Sequence, residues 1–184
     1  MKLPQPFYKE SIKESINVVI ETPKGSRNKF TYDSKEDYFK LHKVLPEGTV
    51  FPVDVGFVPQ TKAGDGDPLD VFIFMEGFTY PGCVVECRAI GIIEVEQEYQ
   101  GKKYRNDRVI AVPISFAEHK SIFEITDIDT DTLNELLNFC RYYNEFEGKK
   151  FNVLAIKGNE DAMKAIQEAH KNKKTKNEVE LNNR

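Results

Sequence analysis

Nowhere in the 184 residues do apolar side chains run on for anything near the roughly 18 positions that a helical bilayer span needs. The chain therefore reads as a soluble globular protein with no membrane partner. Cysteine is scarce as well, with only Cys83, Cys87 and Cys140. An odd number without a leader segment points to free thiols in a reducing compartment and excludes a disulfide framework. Cys83 and Cys87 fall in an expected strand, where a spacing of four separates them by about 13 Å, too far to share a zinc ion. All three read as core thiols. The segment Met1-Lys2-Leu3-Pro4-Gln5-Pro6 carries a lysine but no apolar stretch behind it, so neither a secretory signal nor a transit peptide is expected and the location follows as cytoplasmic. Excess positive charge is missing too. Lys and Arg number 26 against 30 Asp and Glu, a net charge of −4, which argues against a protein that grips nucleic acid through its overall field. Linkers, repeats and composition breaks are also absent, so positions 1–184 are expected to form a single domain.

What is present is a succession of short apolar segments broken by Gly and Pro. Asn17 to Glu21 reads as a strand, and a turn at Pro23-Lys24-Gly25-Ser26 leads to a second strand over Lys29 to Tyr32, together a hairpin. Phe51 to Val58, interrupted by Pro52 and Gly56, reads as one or two bent strands. Val71 to Phe74 follows as a buried strand, then Val84 to Val95 with a bulge expected at Gly91, and Arg108 to Pro113 after a polar loop containing Gly101. Strands this short and uneven favour a closed or partly closed barrel over an open parallel sheet. Helical periodicity comes late. Thr132-x-x-Glu135 fits a capping box, and Leu133, Leu136, Leu137, Cys140 and Tyr143 or Asn144 follow at helical spacing. Phe151 to Ile156 reads as a further strand, about 160–170 as a C-terminal helix, and 171–184 as a frayed polar tail. The barrel portion is thereby expected over about 15–157.

Charge is more informative locally than in total. Lys24, Arg27, Lys29, Lys40 and Lys43 crowd the first third, while Glu94, Glu96 and Glu98 form an acidic strip that reads as a solvated face. The densest feature is Asp65-Gly66-Asp67-Pro68-Leu69-Asp70. Three carboxylates fall within six residues, in a turn that Gly66 permits and Pro68 stiffens. A plain Asp-Gly/Asp-Pro turn with backbone-capping side chains is the structural alternative. Carboxylates this close repel one another, and a hard divalent cation, Mg²⁺ or Mn²⁺, relieves that repulsion while bridging to substrate phosphate.

Taken with that motif, Val18-Val19-Ile20-Glu21, Gly25-Ser26-Arg27-Asn28-Lys29-Phe30, Phe51-Pro52, Gly82-Cys83-Val84-Val85 and Ala111-Val112-Pro113 resemble, in order and spacing over about residues 15–155, the family I soluble inorganic pyrophosphatases. The resemblance is to a divergent branch of that family. It implies a mainly β fold with α, a five-stranded OB-like closed barrel flanked by two helices, Mg²⁺ dependence with Mn²⁺ as a substitute, and hydrolysis of diphosphate to two phosphates. It implies a homo-oligomer and neither a nucleic-acid nor a membrane partner. By the same resemblance Asp65 and Asp70 match metal ligands, Glu21 supports metal-bound water, and Asp67 is the group that activates the attacking water. Lys29, Lys43, Arg108 and Tyr143 match phosphate-binding positions, with Asp67, Lys29, Tyr143 and Arg108 forming the catalytic set.

Several site positions depart from the family pattern. Thr31 stands where a glutamate is usual, Lys43 and Arg108 exchange the two types of cation, and Val55 replaces a tyrosine. Gln97 and Asn106 fall at aspartate positions and Asn144 at a lysine. Asp107, Glu96 or Glu98 is then expected to take over metal binding, Asp107 foremost. The expected function is a Mg²⁺-dependent pyrophosphatase with an altered site. Two alternatives keep the same fold: a hydrolase of another phosphoanhydride, and a non-catalytic metal- or phosphate-binding homologue.

Overall fold

The structure is a computed structural model that describes residues 3–7, 15–115 and 117–182, with side chains at 118 and 176–182 left aside. Met1 and Lys2 of the expected leaderless start lie outside the described residues, as do the last two positions of the tail. The fold is mainly β with two α-helices. In chain order the strands are β1 Ser15–Thr22, β2 Asn28–Asp33, β3 Tyr38–Val44, β4 Asp54–Phe57, β5 Asp70–Ile73, β6 Val84–Tyr99, β7 Lys102–Arg105, β8 Arg108–Pro113 and β9 Lys150–Gly158. Helix α1 spans Thr130–Phe146 and α2 spans Asn159–Asn182. Among the described residues no helix is long and apolar enough to cross a membrane.

Seven strands join in one sheet in the order β1-β4-β5-β8-β6-β7, with β9 added to β6, and β1 also pairs with β6. Only β5 and β8 run parallel; the other pairings of this sheet are antiparallel. The parallel register sets Asp70 beside Arg108, and the antiparallel one sets Phe57 beside Asp70. These neighbours mark the rim on which the acidic loop is mounted.

The expected hairpin of the first two strands is corrected. Both edges of β1 are taken by β4 and β6, so β2 folds against β3 in a separate two-stranded sheet. Side chains carry the join instead. Thr22 Oγ1 donates to the Phe30 carbonyl and accepts from the Phe30 amide, each at 3.0 Å. The Tyr32 amide donates to Glu21 Oε1 at 2.6 Å. Strand β3 was not expected at all, because its residues are exposed or only partly buried and carry no alternating core signal. The loop around Gly101 proves to be a tight connection between β6 and β7, and Cys83 sits just before β6, not within it.

Two apolar clusters hold the layers together. Ile16, Val18, Ile20, Val71, Ile73, Ala89 and Val109 pack against Ala162, Ile166 and Ala169 of α2. On the other side Phe72, Ile90, Ile93, Ile110 and Val112 meet Leu136, Leu137 and Cys140 of α1. Burying each large side chain contributes roughly 1.5–3 kcal/mol. Helix α1 starts earlier than its sequence pattern suggested. Asp129 is the cap, accepting from the Thr132 amide at 2.9 Å, and Thr132 lies inside the first turn. Helix α2 continues well past 170, so the stretch expected to fray is helical to Asn182.

The bulge at Gly91 is present as a register shift between Ala89 and Gly91 against β8. A Cβ there would lie 2.7 Å from the Lys157 carbonyl oxygen and 2.8 Å from Ile125 Cβ, closer than packed atoms allow. Gly91→Ala is therefore expected to cost about 1–3 kcal/mol in a urea titration. The Asp129 cap yields a pH test. Its bonds to Thr132 hold the carboxyl below its ordinary value of 3.8, so its stabilisation is complete above that value and disappears as pH falls through the lower folded value. Asp129→Ala should lower the Tm at pH 7, and its difference from the wild type should shrink steadily as the pH drops below about 4.

Candidate active site

One cleft of about 660 Å³ gathers Glu21, Lys29, Lys43, Asp65, Asp67, Asp70, Arg108 and Tyr143. These belong to β1, β2, β3, the acidic loop, β5, β8 and α1, so residues more than 120 positions apart are brought to one place. The cleft also takes in Thr31, Val55, Gln97, Asn106 and Asn144.

The acidic side comes from the turn before β5. Gly66 has a positive φ of 96°, the left-handed conformation that glycine adopts freely. Asp65 Oδ1 accepts from the Asp67 amide at 3.1 Å, the Asx turn that the structural alternative called for. The turn is thus locally satisfied, yet its carboxylates still face one another. Loss of surrounding water raises the Asp65 carboxyl above its usual value; the Asp67 amide opposes this, and the charges of Asp70 and Asp67 reinforce it. Glu21 is pushed up to about 7, first by burial, against the hydrogen bond from Tyr32, with Asp70 and Asp67 adding to the rise. Among the described residues no three His, Cys, Asp or Glu side chains converge closely enough to hold one ion as they stand. The donor set nonetheless suits a hard cation, since its members are carboxylate oxygens whose mutual repulsion a divalent ion would relieve.

The basic side is built on the β2–β3 hairpin, in which Lys29 and Lys43 stand directly opposite each other. Like charges in that arrangement repel, and α1 supplies the relief. Lys29 Nζ donates to the Tyr143 hydroxyl at 3.1 Å. Both ammonium groups lie over the Tyr143 ring, 5.3 Å and 5.1 Å from its centre, and Lys43 pairs with Glu147. Burial is the strongest single influence and works against the charge on Lys43 and Glu147 alike, but their hydrogen bond together with the neighbouring groups (Tyr143 for the lysine, Lys149 and Lys29 for the glutamate) outweighs it, raising the lysine and lowering the glutamate. Glu147 was not foreseen, although it follows Tyr143 by one helical turn. Phe51 and Phe139 wedge the Tyr143 ring in place, at centroid distances of 5.9 Å each.

Between the two sides, Arg108 Nη1 forms an ion pair with Asp70 Oδ2 at 2.8 Å. Asp107 is not brought to this cleft. Its carboxylate accepts from the Val95 amide at 2.9 Å and from Arg105 at 2.9 and 3.1 Å. Glu96 and Glu98 are likewise elsewhere, paired with Lys103 and Lys150. No carboxylate weighed as a replacement ligand therefore lines the cleft among the described residues. Gln97 and Asn106 do, and they are hydrogen-bonded to each other at 2.8 Å.

Comparison with known proteins agrees with the fold and with this arrangement of segments. The sequence model of the inorganic pyrophosphatases matches residues 18–174. The chain belongs to the inorganic pyrophosphatase family. It is similar to the inorganic pyrophosphatase of Synechocystis, with 35% identity over 159 residues, covering 86% of this chain and 92% of that protein. The crystal structure of inorganic pyrophosphatase from Thermus thermophilus superposes with a TM-score of 0.84 at 30% identity over 94% of this chain and 97% of the other. The inorganic pyrophosphatase from Helicobacter pylori gives 0.85 at 28% identity over 95% and 99%.

The Tyr143 platform separates packing from chemistry. Phe51 is 4% exposed, so Phe51→Ala is expected to cost about 3–5 kcal/mol in denaturant titrations. Tyr143→Phe keeps the ring and loses only the hydroxyl, and should change stability by less than about 1.5 kcal/mol.

Proposed function

We propose that this member of the pyrophosphatase family hydrolyses diphosphate to two phosphates with Mg²⁺, Mn²⁺ serving as a substitute, in a site altered from the usual pattern. The observation that carries this reading is the meeting, in one cleft, of the Asp65, Asp67, Asp70 and Glu21 carboxylates with Lys29, Lys43, Arg108 and Tyr143. Diphosphate is a compact polyanion, and two lysines and a phenol on one wall, with Arg108 between the walls, match its oxygens. We also infer that β1, β4, β5, β8 and β6 form a five-stranded closed barrel, a reading supported by the pairing of β1 with both β4 and β6.

Asp65, Asp70 and Glu21 are the residues proposed to hold the divalent cation, with Asp67 beside them as the base. When bound, that ion supplies charge neutralisation and a water of lowered pKa. Lys29 and Lys43 bind phosphate oxygens and are kept in place by the Tyr143 ring, while the Tyr143 hydroxyl provides a further hydrogen bond. Asp67 takes the proton from the attacking water as that oxygen bonds to one phosphorus. The bridging P–O bond breaks, and the second phosphate leaves with the charge that Arg108 compensates. Val55 and Thr31 line the same cleft; the first offers no donor where the family pattern has a tyrosine, and the second carries no charge where that pattern has a glutamate. A homo-oligomer belongs to the same reading, and sedimentation velocity reads it directly.

Phosphate release from diphosphate is the test. The wild type is expected to turn over only with Mg²⁺ or Mn²⁺, and Asp67→Asn should lower kcat by about 10²–10⁴-fold while leaving the Tm near that of the wild type. A wild type that releases no more phosphate than Asp67→Asn at any metal concentration would falsify the assignment. Turnover of a nucleoside triphosphate or polyphosphate in place of diphosphate would move it to another phosphoanhydride.

A further inference from the structure

Arg108, Asn106, Gln97 and Asn144 form one connected hydrogen-bonded chain within the cleft. Arg108 Nη1 donates to the Asn106 side-chain oxygen, and Asn106 Nδ2 donates to Gln97 Oε1 at 2.8 Å. Gln97 Nε2 then donates to Asn144 Oδ1 at 2.6 Å, and Asn144 Nδ2 donates to the Cys140 carbonyl inside α1 at 2.8 Å. Gln97 and Asn144 are 4% and 5% exposed. Every amide in this chain accepts on its oxygen and donates from its nitrogen, so the donors all point from the guanidinium toward the helix.

That direction dictates the residue types. An ionised aspartate at 97 or 106 accepts but cannot donate, and the next link would be lost. A lysine at 144 donates but cannot accept from Gln97. Gln97, Asn106 and Asn144 therefore stand or fall together. They give the floor of the cleft a neutral, satisfied network. Its open end fixes Arg108, whose Nη1 also meets Asp70 Oδ2 at 2.8 Å. The guanidinium is always charged. Among the described residues its other two nitrogens make no hydrogen bond, while the side chain lines the cleft.

We propose that Arg108 is a permanent cation of this cleft, held on Asp70 by the Asn106–Gln97–Asn144 chain, and that it binds a substrate phosphate directly where a carboxylate floor would need a metal ion to do so. Gln97, Asn106 and Asn144 are positioning residues that act through Arg108. Asp70 is shared between the guanidinium and any divalent ion, so the two compete for it. This inference rests on the diphosphate reading above, but its test is a binding measurement that does not depend on turnover.

The probe is methylenediphosphonate, a non-hydrolysable diphosphate analogue, titrated calorimetrically in the presence of a chelator. The wild type is expected to bind it without metal, and Arg108→Gln should weaken it at least about tenfold. Arg108→Lys, which keeps the charge but loses the planar fork, should fall between the two. Asn106→Ala should weaken it about threefold to tenfold, yet have no further effect in the Arg108→Gln background, because it works through that side chain. A residue with a merely structural role would give additive losses. A second titration with Mn²⁺ alone should show affinity rising about tenfold in Arg108→Gln, since Asp70 is released from its partner. Metal-free binding that is absent from the wild type or unchanged in Arg108→Gln overturns the proposal, as do additive losses or a Mn²⁺ affinity that stays level or falls. Should the wild type bind the analogue as described and yet release no phosphate from diphosphate, the proposed function fails while the role of Arg108 stands.

Discussion

The parallel pairing of β5 with β8 places Asp70 and Arg108 side by side at the head of each strand, and much of the cleft follows from that one neighbour relation. Asp70 closes the acidic loop, so the register that fixes it also fixes where Asp65 and Asp67 emerge. Arg108 opens β8, so the same register decides which cation meets the loop. The core behind them is dry: Val71, Ile73, Val109, Ile110 and Ala111 are all fully buried. Sliding either strand by one residue would exchange the side chains that fill the two apolar clusters, Val109 and Ala111 on one face and Ile110 and Val112 on the other. The ion pair is thus held by the packing beneath it, and its bond of 2.8 Å draws on a backbone that has no other low-energy register.

The opposite wall is governed by a different balance. A two-stranded sheet has little apolar surface of its own, and β2 and β3 expose or only half-bury every residue. Their attachment to the main sheet depends on Thr22 and Glu21 reaching across to backbone groups and on the aromatic cluster of Tyr32 with Phe39 and Phe57. Tyr32 stacks on Phe57 at 5.7 Å, while Phe57 is the β4 neighbour of Asp70. The basic wall and the acidic loop are therefore spaced by one ring contact. Glu21 is part of both, since its carboxylate caps Tyr32 and also lines the cleft. Its upward shift to about 7 reflects that double placement: burial by the hairpin on one side, like charges on the other.

How far the sequence was readable varies with how local each signal was. The strands of the main sheet were visible because they are buried, and apolar runs between Gly and Pro need no partner to be recognised. Gly91 was visible as a bulge for the same reason. The hairpin of β1 with β2 was misread because a turn signal predicts reversal of the chain but not which edges remain free. Strand β3 gave no signal, since Tyr38 to Val44 faces solvent and its pattern is set by charge. In the site, the Asp65 to Asp70 loop was legible as a unit, and Glu21, Lys29, Lys43, Arg108 and Tyr143 reached the same cleft through the matched family segments. Asp107 was chosen as a substitute on sequence proximity. What that choice omitted was Arg105, two residues away, whose guanidinium takes both of its carboxylate oxygens.

Asparagine and glutamine are silent in a sequence because they fit loops, caps and surfaces equally well, so Gln97, Asn106 and Asn144 read only as losses. Their contacts span 9 and 47 positions, beyond any local pattern. Once together, however, they are strongly constrained. A buried primary amide that fails to use both its donor and its acceptor costs about 1–3 kcal/mol, so each link raises the penalty for changing the next. Such a chain is consequently all or none: one amide set beside carboxylates would leave a buried donor or charge without a partner. That requirement bears on Gln97 and Asn144, which are almost wholly buried, whereas Asp65 and Asp67 are exposed and Asp70 is paired with Arg108. Where the cleft is driest, at Gln97 and Asn144, a neutral, hydrogen-bonded network avoids the desolvation that charged groups would meet there.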